Sequence, residues 1–263
     1  MIIAVIILAV LICLFLTIQY SLFLPPVKGL PILMYHKVSL DSNDALTVSV
    51  ENLERQFKYF SEHNYINLPL GQIIDKSYVK LPKRVFVLTF DDAYLNNLEY
   101  LYPLLQKYNY HVTIMLPVGF IGKTNEWDGG SEPLMDYGQL LSMDSRYVSF
   151  GLHTYSHSSV KTMDIDDIAA DIEKCKRELN DHGINFLPVL AYPYGRFPSD
   201  EGKKEAFFEL LKTSGIVCGL RIGNKINKWP LRDRYEVRRI HIKGDESFWK
   251  FKTRIRKGHV KML

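Results

Sequence analysis

The chain has 263 residues, 47% of them hydrophobic, and a formal net charge of +4 at pH 7. It can bury one sizeable core, and so weak a basic excess, without a basic stripe or a recognisable module, argues against nucleic-acid binding. Three cysteines exclude a disulfide framework, since Cys13 lies in an apolar N-terminal run, Cys175 on a helix candidate and Cys218 in an apolar strand candidate.

Met1 to Leu24 carries no charged side chain. As a helix rising 1.5 Å per residue it reaches about 36 Å, enough for a bilayer core. A cleaved signal peptide is the rival reading, yet there is no positive start, and Gln19-Tyr20-Ser21-Leu22-Phe23-Leu24 offers no small-residue cleavage pattern. Residues 1–24 are therefore expected to form an uncleaved transmembrane anchor. Lys28 follows the run and no cation precedes it, which is a weak positive-inside vote for a cytoplasmic C-terminal domain. Residues 25–30 make a linker of at most roughly 20 Å, and residues 31–263 a single domain.

Within that domain apolar runs alternate with amphipathic stretches, the pattern of strands and helices taking turns. Strands are predicted at Ile32 to Tyr35, Val85 to Phe90, Val112 to Leu116, Tyr147 to Leu152, Val189 to Tyr192, Ile216 to Leu220 and Glu236 to Ile242. Leu53, Phe57 and Phe60 mark one helix, and Leu98, Leu101 and Leu105 a second that Pro103 should kink. Asp164 is placed to cap a third, carrying Ile165, Ile168, Ile172, Cys175 and Leu179 and stopping near Gly183, and a fourth runs from Ser199 to about Gly215. Phe248 to Lys257 mixes aromatics with cations. It reads as a terminal helix with its aromatic side on the core, the alternative being a surface that rests on an anionic membrane or glycan.

The chemistry concentrates in two motifs. Thr89-Phe90-Asp91-Asp92 ends an apolar strand, and His153-x-x-x-His157 answers it some sixty residues later. Positions 153 and 157 project to one side under a period of 3.6 or of 2, so two imidazoles can converge on one ion. Adjacent strand residues point oppositely, so Asp91 and Asp92 share a site only where the backbone turns, leaving one to ligate and one free. One carboxylate and two imidazoles leave a divalent ion an open position for water or substrate, which points to hydrolysis. Either motif alone reads equally as a helix cap or as loop histidines. Together they favour the metal site, and all the motifs fall where strands end, where parallel α/β folds gather their ligands.

These residues resemble the polysaccharide deacetylases of carbohydrate esterase family 4. Thr89-Phe90-Asp91-Asp92-Ala93, His153-Thr154-Tyr155-Ser156-His157 and Ala191-Tyr192-Pro193-Tyr194-Gly195 follow the family's order and spacing, with two departures. Ala93 stands where the family usually has Gly, and Ala191 where many members have an Arg that orients the catalytic Asp. Support for Asp91 must then come from elsewhere. Pro31-Ile32-Leu33-Met34-Tyr35-His36-Lys37-Val38 is similar to the start of the branch that deacetylates poly-N-acetylglucosamine exopolysaccharide.

The resemblance implies a distorted (β/α) barrel with fewer than eight repeats, preceded here by the membrane helix. It also implies roles: Asp92, His153 and His157 hold a divalent metal, with zinc first among candidates; Asp91 is the base; the Tyr194 backbone N–H is an oxyanion donor; and His36 is the acid. His241, in Arg239-Ile240-His241-Ile242, is the competing acid, its bland reading being a strand residue facing solvent or a neighbouring strand. The expected reaction releases acetate from a β-linked N-acetylglucosamine polymer. Peptidoglycan or chitooligosaccharide deacetylation, or an inactive membrane-anchored glycan-binding protein, are the alternatives. Because such a polymer lies outside the cytoplasm, the domain is expected there despite Lys28, next to the membrane and to a polysaccharide synthase within it. Trp127 and Tyr155 are candidates for stacking on sugar faces or for packing.

Overall fold

A computed structural model describes residues 2–20, 26–41, 44–75 and 77–258, with the side chains of 16–20 excepted. Seven strands carry the domain: β1 (Ile32–Tyr35), β2 (Val85–Asp91), β3 (Val112–Leu116), β4 (Val148–Leu152), β5 (Val189–Ala191), β6 (Cys218–Ile222) and β7 (Val237–His241). Each is one of the runs predicted from apolar patterning, shifted by at most two residues. They pair in parallel in the order β1-β7-β6-β5-β4-β3-β2, and β2 returns to β1, closing a seven-stranded barrel. Leu33 of β1 faces Ile240 on one side and Leu88 on the other, so the closure register is set at one residue. A two-residue strand, Ile66–Asn67, pairs with the start of β2, below the stretch that β1 occupies.

Side-chain alternation divides each strand between two environments. In β2, Phe86, Leu88 and Phe90 pack outward with the helix residues Phe57, Phe60 and Leu101, whereas Val85 and Val87 join Ile32, Met115 and Val237 in a separate buried cluster. Thr89 and Asp91 share the phase of Val85 and Val87, so β2 carries a buried carboxylate to its C-terminal end.

Eight α-helices accompany the strands among the described residues: α1 (Ile2–Tyr20), α2 (Val50–Glu62), α3 (Leu70–Ile74), α4 (Tyr102–Tyr108), α5 (Tyr137–Ser142), α6 (Ile165–Asp181), α7 (Glu201–Thr213) and α8 (Phe248–Lys257). The Ser49 side chain caps α2 by accepting from Asn52 N, and Leu53, Phe57 and Phe60 are buried as their spacing predicts. The kink expected at Pro103 takes another form. A π-helical turn, Asn97–Leu101, leads into α4, and Pro103 falls in the first turn of the new helix, where a missing N–H does no harm. Asp164 stands at the N-cap of α6 but its side chain makes no capping bond, while Asp200, rather than Ser199, caps α7 by accepting from Lys203 N.

The described side chains of α1, Ile2 to Phe15, are apolar and exposed, a stretch of only about 20 Å at helical rise. Among the described residues no helix is long and apolar enough to cross a membrane. The transmembrane span expected over residues 1–24 is thus unsupported at the level of the fold, and its positions 1 and 21–24 lie outside the described residues.

The terminal aromatic-basic segment is a packed helix, as its bland reading has it. Phe251 and Ile255 of α8 are buried, and Phe251 meets Phe60, Tyr59 and Phe248 at ring distances of 5.5, 6.4 and 5.7 Å. Phe251→Ala is expected to lower the unfolding free energy by about 3–5 kcal/mol in urea denaturation; a loss near zero would mean that α8 is not part of the core.

Candidate active site

Every strand ends at the same face, and the predicted site residues meet there. At the end of β2 the backbone leaves the extended region: Asp92 has φ 75° and Ala93 φ 55°, and Asp92 N donates to Met115 O at 3.0 Å. The turn lets two neighbouring carboxylates serve one pocket. Ala93 occupies the left-handed region that favours glycine, which accounts physically for the family's usual residue there.

The two carboxylates have different surroundings. Asp91, 1% exposed, is gripped by Arg239 of β7, which is 0% exposed. Arg239 Nη1 donates to Asp91 Oδ1 at 2.5 Å and Nη2 to Oδ2 at 2.7 Å, a two-pronged pair. Burial alone would raise the Asp91 carboxyl, but the Arg239 charge, followed by His153 and the Arg239 hydrogen bonds, carries it well below the ordinary carboxylate range. Asp91 is therefore a carboxylate at any working pH. Arg239 takes over the task left open at Ala191. Its sequence signal was its place between Val237 and His241 on one face of a strand, a cation in an inward phase.

Asp92 faces imidazoles instead. Its Oδ1 lies 3.2 Å from His157 Nε2 and 3.5 Å from His153 Nε2. His153 Nδ1 is 2.8 Å from Ala191 O. A carbonyl only accepts, so Nδ1 carries the hydrogen and the Nε2 lone pair faces the carboxylate. Burial lowers the His153 pKa to about 4, which keeps the ring neutral, as a ligand must be. Asp92, His153 and His157 each offer one donor atom within 4.8 Å of the others, and all three are buried. Asp92 Oδ1 takes no hydrogen bond. A buried carboxylate oxygen without a donor, beside two imidazole nitrogens, is a donor set that fits a divalent cation.

The loop that delivers the histidines is strained and clamped. Thr154 and His157 have φ 63° and 51°. Asp171 of α6 accepts from Tyr155 N at 2.7 Å, Ser156 N at 3.2 Å and Ser156 Oγ at 2.9 Å. Sequence reading missed Asp171, although a carboxylate on the buried stripe of Ile168, Ile172 and Cys175 was a visible signal. Trp127 stacks on His157, with centroids 4.3 Å apart, and Tyr155 lies against Lys174, 3.8 Å from ring to Nζ, so both aromatics make packing contacts within the protein.

Two further histidines complete the cluster. His36 follows β1, its carbonyl accepts from buried Asn97 Nδ2 at 3.0 Å, and its Nε2 lies 3.9 Å from Asp91 Oδ2. His241 ends β7 with its ring edge-on to His36 at 5.6 Å. It is half-buried, and burial lowers its pKa to about 4. Tyr194 follows β5 with φ 58°, its ring 5.2 Å from His157.

Residues 78–208 match the polysaccharide deacetylase family. The chain carries a polysaccharide deacetylase domain. The matched stretch holds Asp91, Asp92, His153, His157 and Tyr194, and leaves His36, Arg239 and His241 outside. A Bacillus subtilis (strain 168) relative named for polysaccharide deacetylase, YxkH, is 28% identical over 170 residues, which cover 64% of this chain but only 57% of that protein. The poly-beta-1,6-N-acetyl-D-glucosamine N-deacetylase of Staphylococcus epidermidis is 28% identical over 209 residues, 76% of this chain and 69% of that protein. Among solved structures, the Streptococcus pyogenes deacetylase PplD superposes with a TM-score of 0.70 at 24% identity, covering 84% of this chain and 95% of that one. IcaB from Ammonifex degensii gives 0.72 at 20%, covering 87% and 97%. At these identities the structures speak for the fold alone.

Replacing Arg239 by Met leaves burial unopposed, so the Asp91 pKa rises and the acid limb of kcat/KM for acetate release moves up by about one to three pH units, with a stability loss of about 3–5 kcal/mol. Arg239→Lys keeps the charge but not the two-pronged grip and should fall between. An unmoved acid limb in both variants would separate Asp91 from the rate. Ala93→Gly removes the left-handed strain and is expected to raise stability by about 1 kcal/mol, read as a higher Tm.

Proposed function

We propose that this domain is a metal-dependent hydrolase that removes N-acetyl groups from a β-linked N-acetylglucosamine polymer of the poly-N-acetylglucosamine type, releasing acetate. The observation that carries the reading is a pair of adjacent carboxylates with divided surroundings, Asp91 on Arg239 and Asp92 on two imidazoles. The printed activity of the Staphylococcus epidermidis relative supports the choice of polymer. Peptidoglycan or chitooligosaccharide remains the competing substrate class, decided by assay.

Asp92, His153 and His157 would hold the divalent ion. Zinc suits their nitrogen and oxygen donors, and such an ion supplies Lewis-acid polarisation of a carbonyl and lowers the pKa of a water molecule. Asp91, kept ionised by Arg239, takes the proton from the attacking water. The Tyr194 backbone N–H donates to the oxyanion that develops on the acetyl carbonyl, a contribution of about 3 kcal/mol. His36, 3.9 Å from Asp91, delivers a proton to the departing amide nitrogen, which leaves poorly as an anion. His241 is the weaker candidate acid, because its burial favours the neutral ring. The products are acetate and a free amine that is largely cationic at neutral pH.

An inactive glycan-binding protein would have no use for this arrangement. Its two sequence supports also weaken, since Ala93 holds the required turn and Arg239 stands in for the Arg absent at Ala191. The apolar, exposed side chains of α1 support membrane attachment through the N-terminal helix. The substrate's location favours an extracytoplasmic domain, working near a membrane polysaccharide synthase.

Purified protein should release acetate from poly-N-acetylglucosamine, lose that activity with a chelator and regain it with zinc. Asp91→Asn should retain bound metal while acetate release falls by about 10²–10⁴-fold; persistence of release would reject the assigned base. His36→Ala should cost more rate than His241→Ala, and the reverse order would reassign the acid. Deleting residues 1–24 should reduce deacetylation in cells more than in solution.

A further inference from the structure

Because all seven strands are parallel, their N-terminal ends gather at the end of the barrel opposite the catalytic groups. An apolar groove opens there, formed by Ile73, Ile74, Tyr78, Trp229 and Leu231, with Cys218 at the start of β6 and Arg234 just ahead of β7 on its wall. Beside it Val79 is 98% exposed.

Exposed cations are interleaved with these apolar residues. Lys80 follows Val79, Lys228 precedes Trp229, Arg232 follows Leu231, Lys83 lies just ahead of β2 and Lys28 just ahead of β1. None of the five enters an ion pair among the described residues. The acidic residues on the same connectors are Asp75, Asp233 and Glu236, the last already paired with Lys204 and Arg221.

The N-terminal segment enters at this same end. Leu30 bridges to Asn227, and Val27 N donates to Arg256 O, near the end of α8, at 2.9 Å. From Tyr20, where α1 ends, to Val27 the chain spans at most about 25 Å, so this face lies within that reach of whatever α1 occupies.

We propose that the N-terminal end of the barrel docks on an anionic phospholipid bilayer surface, Val79 and the groove rim entering the headgroup layer while Lys28, Lys80, Lys83, Lys228 and Arg232 face lipid phosphates. Cations near a membrane surface and a projecting apolar side chain act together in such binding. The orientation builds on the membrane attachment proposed for α1. It has a consequence for the reaction: β2 rises about 20 Å from Val85 to Asp91, so the catalytic face opens away from the lipid and meets polymer that has already cleared the bilayer surface.

The test uses the full chain with Cys13→Ser and a single environment-sensitive fluorophore on Val79→Cys, in vesicles of phosphatidylcholine with or without phosphatidylglycerol and a nitroxide lipid quencher. Quenching at position 79 is expected with phosphatidylglycerol, with loss of it at high salt and in phosphatidylcholine alone. The same label on Leu40→Cys, beyond the catalytic end of β1, should stay unquenched. Charge reversal at Lys80, Lys83, Lys228 and Arg232 should weaken the response by about fivefold per cation while acetate release in solution is retained. Resistance of the vesicle-bound protein to carbonate extraction reports separately on insertion of α1. A position 79 that remains unquenched in phosphatidylglycerol vesicles overturns the docking proposal whether or not α1 inserts.

Discussion

The site depends on one buried ion pair, Arg239 with Asp91. Both side chains are withdrawn from water, and a buried pair of this kind holds only when its geometry is good and its lone pairs are used. Here both carboxylate oxygens are taken by the guanidinium, and Thr89 Oγ1 lies 3.4 Å from the same Nη1. The two residues come from β2 and β7, which are not neighbours; β1 lies between them. The pair therefore forms only once the barrel has closed through β1, in the register that matches Leu33 to both Leu88 and Ile240. Closure of the fold and readiness of the base are one event.

That pair also explains how two adjacent aspartates come to differ. Asp91 has its charge neutralised by a fixed cation and keeps no affinity to spare for another. Asp92 has no Lys or Arg among its described ion-pair partners, only two imidazoles, of which His153 is held with its Nε2 toward it by the Ala191 carbonyl. Divided surroundings are the general means by which a single fold gives like groups unlike roles. The same logic distinguishes His36 from His241: their rings meet edge-on and both are half-buried, yet only the one that follows β1 lies 3.9 Å from Asp91.

Much of this was legible in the sequence, and the parts that were not share a cause. All seven barrel strands could be read because each is a short buried run between polar stretches, a pattern fixed locally. The gathering of Asp91, Asp92, His36, His153 and His157 could be read because parallel strands bring their ends together. What escaped was long-range or very short. The function of Arg239 depends on a partner 148 residues away in the chain. Asp171 acts by accepting hydrogen bonds from backbone that no periodicity describes. Leu70–Ile74 and Tyr137–Ser142 are too short for a helical stripe to declare itself, and the π turn before Pro103 satisfies a proline by a route that propensity alone does not favour.

Strain is distributed in the same way. Among the described residues nine non-glycine positions have positive φ, and Asp92, Ala93, Thr154, His157 and Tyr194 among them belong to the three motif loops. Left-handed backbone at such residues costs of order 1 kcal/mol or more apiece, so the surrounding fold must hold each one. The holders can be named: the Met115 carbonyl for Asp92, Asp171 for the backbone between Thr154 and His157, and the Ala191 carbonyl for His153. These three holders sit on a barrel strand or on the long helix α6, and connector backbone adds to them, Val118 N donating to Thr154 O and Met135 N to Ala93 O. The rigid elements thus sustain the conformations that let two separate loops present a carboxylate and two imidazoles to a common point, and the stability surrendered in the loops is what places those side chains within reach of one ion.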